Sequence, residues 1–263
     1  HALTISDRAS PVLNLSFFDL DLDPNDLGGN ATWVEPVDGS RVVAYDVYLA
    51  HDSDGSSRSG LGVAGVNVGF FAVEENEARE SNTHLVLYSR STLAEQTTPV
   101  ATAIYDAVAG VSDVTYVGKD LDDEELGGIV SWSPPLDVSR VAAYVCYLAA
   151  SAAGSARLFL PPEIYVDSGD ALPVPPATRS TGYGTFVVYT RSALCEQTTP
   201  GSLAYHDTSS RPSNISFVDE DLDFGEIAGD LSWSAAADAA QVIGYTVYLS
   251  QGADGGSRVL LGS

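Results

Sequence analysis

The feature that most constrains this chain is a repeat of about 100 residues. Asp21-Leu22-Asp23 returns as Asp120-Leu121-Asp122 and again as Asp221-Leu222-Asp223. Ten residues beyond each triplet stands one of the three tryptophans of the protein, Trp33, Trp132 and Trp233. Each is followed by a tyrosine pair (Tyr45 and Tyr48, Tyr144 and Tyr147, Tyr245 and Tyr248) and then by Arg58, Arg157 or Arg258. The later part of the unit repeats too: Glu95-Gln96-Thr97-Thr98-Pro99 returns as Glu196-Gln197-Thr198-Thr199-Pro200. A unit this long exceeds the period of solenoid repeats and fits a string of separate domains, each with its own core.

Inside the unit, apolar residues alternate with a period of two. Residues 42–50 show it best, with Tyr45, Val47 and Leu49 facing one way and Asp46 the other. Strands are also expected around Leu15 and Phe17, over 31–34, 58–63, 66–73, 83–90 and 100–105, with Gly, Pro, Asn and Asp between them. Seven short strands of this kind predict an all-β protein built from tandem seven-strand sandwiches in an extended array. No segment shows a helical period with caps.

The run Trp132-Ser133-Pro134-Pro135, the Tyr-x-x-Tyr of the next strand and the Thr-Pro exit of the late strand resemble the fibronectin type III domain. The resemblance covers nearly the whole chain and implies the sandwich fold; it is silent on function, because such sandwiches host many roles. It departs from the family before the sixth strand, where residues 74–80 and 172–184 differ between copies and are expected to form variable loops. The expected organisation is a last strand of a preceding domain in residues 1–10, complete domains over 11–107 and 111–207, and the first half of a third over 212–263. Truncation is the simpler account of that third copy; completion by strand addition from a neighbour is the alternative. No signal peptide is visible from His1 onward, so either it has been removed or the true N-terminus lies upstream.

Composition removes several function classes. The formal net charge is -24, from 36 acidic residues against 12 basic ones, of which only Lys119 is a lysine. Such a field repels nucleic acid and anionic lipid, so neither is an expected partner. The apolar run 141–150 is half the length of a membrane helix and reads as a buried strand, so no membrane insertion is expected. The four histidines, His1, His51, His84 and His206, are scattered without metal or triad spacing. Two cysteines are too few for a disulfide framework; Cys146 stands where Val47 and Val247 do and reads as a small core hydrophobe, while Cys195 stands where Ala94 does. No enzyme is expected.

The acidic turn after the first strand is the main candidate site. Asp19, Asp21, Asp23 and Asp26 lie within eight residues, and Asp219, Asp221, Asp223 and Glu226 match them in the third copy. Calcium takes about 6–8 oxygen ligands, which alternating carboxylates supply, so it is the candidate cofactor. The competing reading is a hydrated turn in which Leu22 plugs the core. The middle copy has Gly118 and Lys119 in place of Asp19 and Leu20 and is the weakest calcium candidate. Three sequons, at Asn14, Asn30 and Asn214, are candidate glycosylation sites.

Together these point to a structural extracellular or cell-surface repeat protein, part of a stalk, matrix or fibre. Its expected partners are copies of itself, arranged head to tail, and glycans. The alternatives are an adhesin or carbohydrate-binding array using residues 74–80 and 172–184, and accessory repeats of a secreted hydrolase.

Overall fold

The computed structural model describes residues 9–207 and 209–262. Seven strands make the first sandwich: β1 (Leu13–Asp19), β2 (Asp26–Val34), β3 (Ala44–Ala50), β4 (Ser59–Gly65), β5 (Phe70–Ala78), β6 (His84–Arg90) and β7 (Val100–Ala103). One sheet has the order β1-β2-β5 and the other β4-β3-β6-β7. Every pairing is antiparallel, with Phe17 opposite Ala31, Ala31 opposite Phe71 and Val47 opposite Leu87. The inward residues alternate as the period of two requires: Leu27, Ala31, Trp33 and Val73 from one sheet meet Tyr45, Val47, Leu49, Leu85 and Leu87 from the other.

The second sandwich repeats this with β8 (Ser112–Gly118), β9 (Glu125–Ser133), β10 (Ala143–Ala149), β11 (Leu158–Tyr165), β12 (Ala171–Arg179), β13 (Thr185–Arg191) and β14 (Gly201–Ala204). Its sheets are β12-β9-β8 and β11-β10-β13-β14. Cys146 lies in this core, as expected of a small hydrophobe. Trp33 packs on Tyr45 with ring centroids 5.4 Å apart and Trp132 on Tyr144 at 5.2 Å. Such pairs contribute about 0.5–1.5 kcal/mol beyond the area they bury.

The outer faces explain the remaining repeated residues. Arg58 lies 4.4 Å from the Tyr48 ring and 4.2 Å from the Tyr88 ring, and its guanidinium meets Glu95 at 2.7 Å. Arg157, Tyr147, Tyr189 and Glu196 build the same arrangement in the second sandwich. A charge stacked between two rings closes the second face of each four-stranded sheet while remaining partly hydrated.

Two expectations need correction. Residues 74–80 and 172–184 are not variable loops: β5 and β12 run through most of them, pairing along β2 and β9 as far as Asp26 opposite Ala78 and Glu125 opposite Arg179. Both are edge strands, where outward carboxylates and the prolines 173, 175 and 176 cost no central ladder hydrogen bond. The segments that the adhesin reading singled out are therefore largely bulged sheet edge, with Asn76 and Ala177 at φ 61° and 57°.

The second correction concerns Trp233: its place in the repeat predicts burial between two sheets, as for Trp33 and Trp132. Trp33 and Trp132 are 6% and 5% exposed, but Trp233 is 37% exposed. The third copy has four strands, β15 (Ser213–Phe217), β16 (Leu231–Ser234), β17 (Val247–Leu249) and β18 (Val259–Gly262), in two two-stranded sheets. Nothing among the described residues corresponds to β5, β6 and β7, so the inner faces around Trp233 lack their cover. The expected pairing of residues 2–7 as a strand lies outside the described residues.

Candidate functional site: the acidic turn between the sandwiches

The turn joining β1 to β2 is shaped by its own carboxylates. Asp19 Oδ1 accepts the N–H groups of Asp21 at 3.2 Å and Gly28 at 3.0 Å, and Asp21 Oδ1 accepts that of Asp23 at 3.0 Å. An aspartate accepting from the residue two ahead is a local alternative to regular backbone pairing, which is why the strand stops here. Gly29, at φ 133°, then makes a bulge in which a side-chain carbon would stand 2.3 Å from the Phe18 carbonyl oxygen. The turn is thus pushed outward as a rigid finger.

Other atoms of the same aspartates reach beyond the turn. Asp21 Oδ2 accepts the Asn76 N–H at 2.9 Å, tying the finger to β5, and Asp19 Oδ2 accepts that of Ala107 at 2.8 Å, tying it to the link before β8. Asp23 crosses to the second sandwich, accepting from the backbone of Thr198 at 2.5 Å and of Thr199 at 3.0 Å. Every carboxylate oxygen of Asp19, Asp21 and Asp23 therefore has an N–H donor. All three residues are buried, being 0–2% exposed.

Between them Leu22 is 0% exposed and belongs to the core of the second sandwich, not the first. Its carbonyl accepts from Ala109 N–H and from Gln197 Nε2, both at 3.2 Å. Arg140 Nη1 donates to the Asp19 carbonyl at 2.6 Å, and its guanidinium lies 4.2 Å from the Phe18 ring and 5.0 Å from that of Tyr105. Gly28 is matched to the partner face: a side-chain carbon there would stand 2.8 Å from Leu194 Cδ2. The finger is a plug, and the face of the second sandwich formed by Arg140, Leu194, Gln197, Thr198 and Thr199 is its socket.

Electrostatics follow from burial. The Asp19 carboxyl is raised above its ordinary value, because loss of hydration outweighs the three N–H donors. Asp26, at the start of β2, is raised by loss of hydration and then by the charges of Asp21, Asp23 and Asp106. Asp106 is held in place by Arg79 Nε at 3.2 Å and by the Asn25 N–H at 3.0 Å. The Cys195 thiol at the junction is pushed up to about 11, by burial first and then by Asp21 and Glu75, and burial alone pushes Cys146 up to about 12. Burial thus favours the neutral thiol at both positions.

The calcium candidates are distributed differently from their sequence order. In the first copy Asp19, Asp21 and Asp23 serve as hydrogen-bond acceptors across the junction. Asp221, Asp223 and Glu226 of the third copy bring carboxylate oxygens within 4.8 Å of one another, while Asp219 instead accepts from the backbone of Asp221 and Ala228, each at 3.1 Å. The middle copy, weakest by sequence, gathers Asp120, Asp122 and Glu125 equally closely. There the hydroxyl of Tyr116 takes over from Asp19, accepting the Gly127 N–H at 3.2 Å. These are the metal-sized groups among the described residues, and none includes a histidine or a cysteine.

The three sequon asparagines are exposed. Asn14 and Asn214 sit in bulges at φ 52°, as does Asp113 at φ 48° in the middle copy. Asn and Asp tolerate that left-handed backbone best, so the bulge gives these positions a reason of their own.

The socket escaped sequence reasoning. Its signal was the repeated Glu-Gln-Thr-Thr-Pro, which recurs with the acidic triplet although no rule of strand or turn requires it. The strand order of the two complete sandwiches, three strands against four, defines a tandem array of fibronectin type III-like sandwiches. No family model and no curated protein matches the chain. A solved structure it resembles is that of the chicken CNTN1 FN1-FN3 domains, at 13% identity and a TM-score of 0.35, covering 75% of this chain and 67% of that one. No helix among the described residues is long and apolar enough to cross a membrane.

Proposed function

We propose that this protein is a structural spacer: a segment of an extracellular stalk, matrix or fibre whose sandwiches are locked in series and present no catalytic site. The observation that carries the reading is the plug, a leucine of one sandwich buried in the core of the next and flanked by buried aspartates. Freely jointed domains would not sacrifice hydration of three carboxylates at a link; a junction that must resist bending gains directional hydrogen bonds from it. The acidic surface keeps a crowded array soluble. Exposed sequons at Asn14, Asn30 and Asn214 agree with secretion and with glycans on the surface.

Residual dipolar couplings test this. The two complete sandwiches should fit one alignment tensor, and a Leu22→Ala/Asp23→Ala double variant should give two. Independent tensors in the unaltered protein would refute a locked spacer.

A further inference from the structure

We propose that the second sandwich carries a docking hollow for an arginine side chain of a basic partner protein, at the place where the first sandwich seats a guanidinium of its own. This goes beyond the spacer reading and stands independently of it. In the first sandwich Arg79 follows the end of β5, and its backbone N–H donates to the Asn25 carbonyl at 2.9 Å. Its guanidinium then meets two partners, Nε standing 3.2 Å from Asp106 Oδ2 and Nη2 donating to Asn25 Oδ1 at 3.1 Å. Asp106 Oδ2 also accepts the Asn25 N–H at 3.0 Å. One cation and one carboxylate balance each other there.

The second sandwich keeps this frame and loses the cation. Ser180 stands where Arg79 does, its N–H donating to the Glu124 carbonyl at 2.9 Å. Asp207 stands where Asp106 does and accepts the Glu124 N–H. Ser180 is too short to fill the space, and a hollow of about 260 Å³ opens, bounded by Asp123, Glu124, Ser180, Tyr183, Tyr205 and Asp207. Every lining residue belongs to the second sandwich. Pro24, Asn25 and Asp106 of the first sandwich become Asp123, Glu124 and Asp207, so one carboxylate becomes three.

Their partners within the chain are few. Asp207 takes the Ser180 hydroxyl at 3.3 Å and Glu124 the Thr181 hydroxyl at 3.4 Å. Among the described residues no arginine or lysine forms an ion pair with Asp123, Glu124 or Asp207. Arg179, the nearest cation along the chain, lies opposite Glu125 on the ladder of β9 and β12 and does not line the hollow. The Asp207 carboxyl is raised, by burial first, and the charges of Asp123 and Asp120 add to this, so a cation brought here would relieve both.

A guanidinium suits the lining. It is planar and forked, so it can donate to Asp207 and Glu124 together, as Arg79 reaches both Asp106 and Asn25, while its face rests on Tyr183 or Tyr205, which are half-buried. Asp123, Glu124 and Asp207 are not among the groups close enough to share a metal ion. The partner is basic because the net charge of -24 draws cations from a distance and repels acidic proteins.

Titration of the full chain with N-acetyl-arginine amide, followed by NMR, tests the proposal. Signals of Ser180, Thr181, Tyr183 and Tyr205 should shift saturably, and less so as salt is added. N-acetyl-citrulline amide, of the same shape without the charge, should leave them in place. Ser180→Arg supplies the guanidinium from within, as the first sandwich does, and should weaken binding of the probe at least about tenfold. Glu124→Gln, at an exposed position, removes one charged acceptor without changing the backbone and should weaken it about tenfold, which keeps the test sound if Ser180→Arg disturbs the fold. Equal shifts with the citrulline probe, variants that bind like the parent, or calcium chloride saturating the same signals at lower concentration would each overturn the proposal. None of these results bears on whether the two sandwiches share one alignment tensor, so the spacer reading stands or falls separately.

Discussion

Replacing Leu22 by alanine separates a plug from a decorative turn. Leu22 is 0% exposed and its neighbours belong to the second core, so the loss should resemble a buried Leu→Ala change, about 2–5 kcal/mol. The middle turn is an internal control: Leu121 occupies the same place in the repeat and is 37% exposed, so Leu121→Ala should cost well under half as much. The backbone bonds to the Leu22 carbonyl from Ala109 and Gln197 survive the substitution, which confines the change to packing. Trp132 lies in the core that receives Leu22, and Trp33 in the one that does not, so tryptophan fluorescence during urea unfolding reports both. The transition of the second sandwich should move to lower urea, while that of the first moves less. A shift under about 0.5 kcal/mol, the range of ordinary surface changes, would refute the assignment of Leu22 to the neighbouring core. So would equal effects at Leu22 and Leu121.

Three further outcomes are expected. Gly28→Val should destabilise the junction by about 1–3 kcal/mol, since its side chain would run into Leu194 and the β5 backbone at Glu75; a neutral effect in thermal unfolding would mean the two faces do not meet. Asp19, Asp26, Asp46 and Asp207 are all raised from 3.8, with burial the leading cause, so folding takes up protons. Stability should then rise as pH falls from neutrality through these raised values and stop rising near 3.8, and a melting temperature lower at about pH 5 than at about pH 7.5 would contradict this. Chelation by EDTA should leave the melting of the first sandwich unchanged, because Asp19, Asp21 and Asp23 are already matched to N–H donors; a clear drop in that transition, reversed by calcium, would return these residues to metal binding.

Much of the architecture could be read directly from the chain, because it depends on periodicities that neighbours in sequence carry. Alternation over residues 42–50 and turn residues at regular spacing require strands with two unlike faces, whatever the rest does. The acidic end of β5, beyond the strand expected over 66–73, does not show in the sequence, because a register shift against Leu27 and Gly29 and the acidic Glu74, Glu75 and Glu77 break its period of two. The role of the aspartates was decided only by the tertiary structure. Asp-Leu-Asp has the same local chemistry in all three copies, and each forms the same internal turn. What differs is the neighbour: Leu22 meets a face built from residues over a hundred positions away and is 0% exposed, whereas Leu121 is 37% exposed. Sequence fixes which groups a turn offers; which of them lose water depends on the face brought against it, and that is a property of the assembled fold.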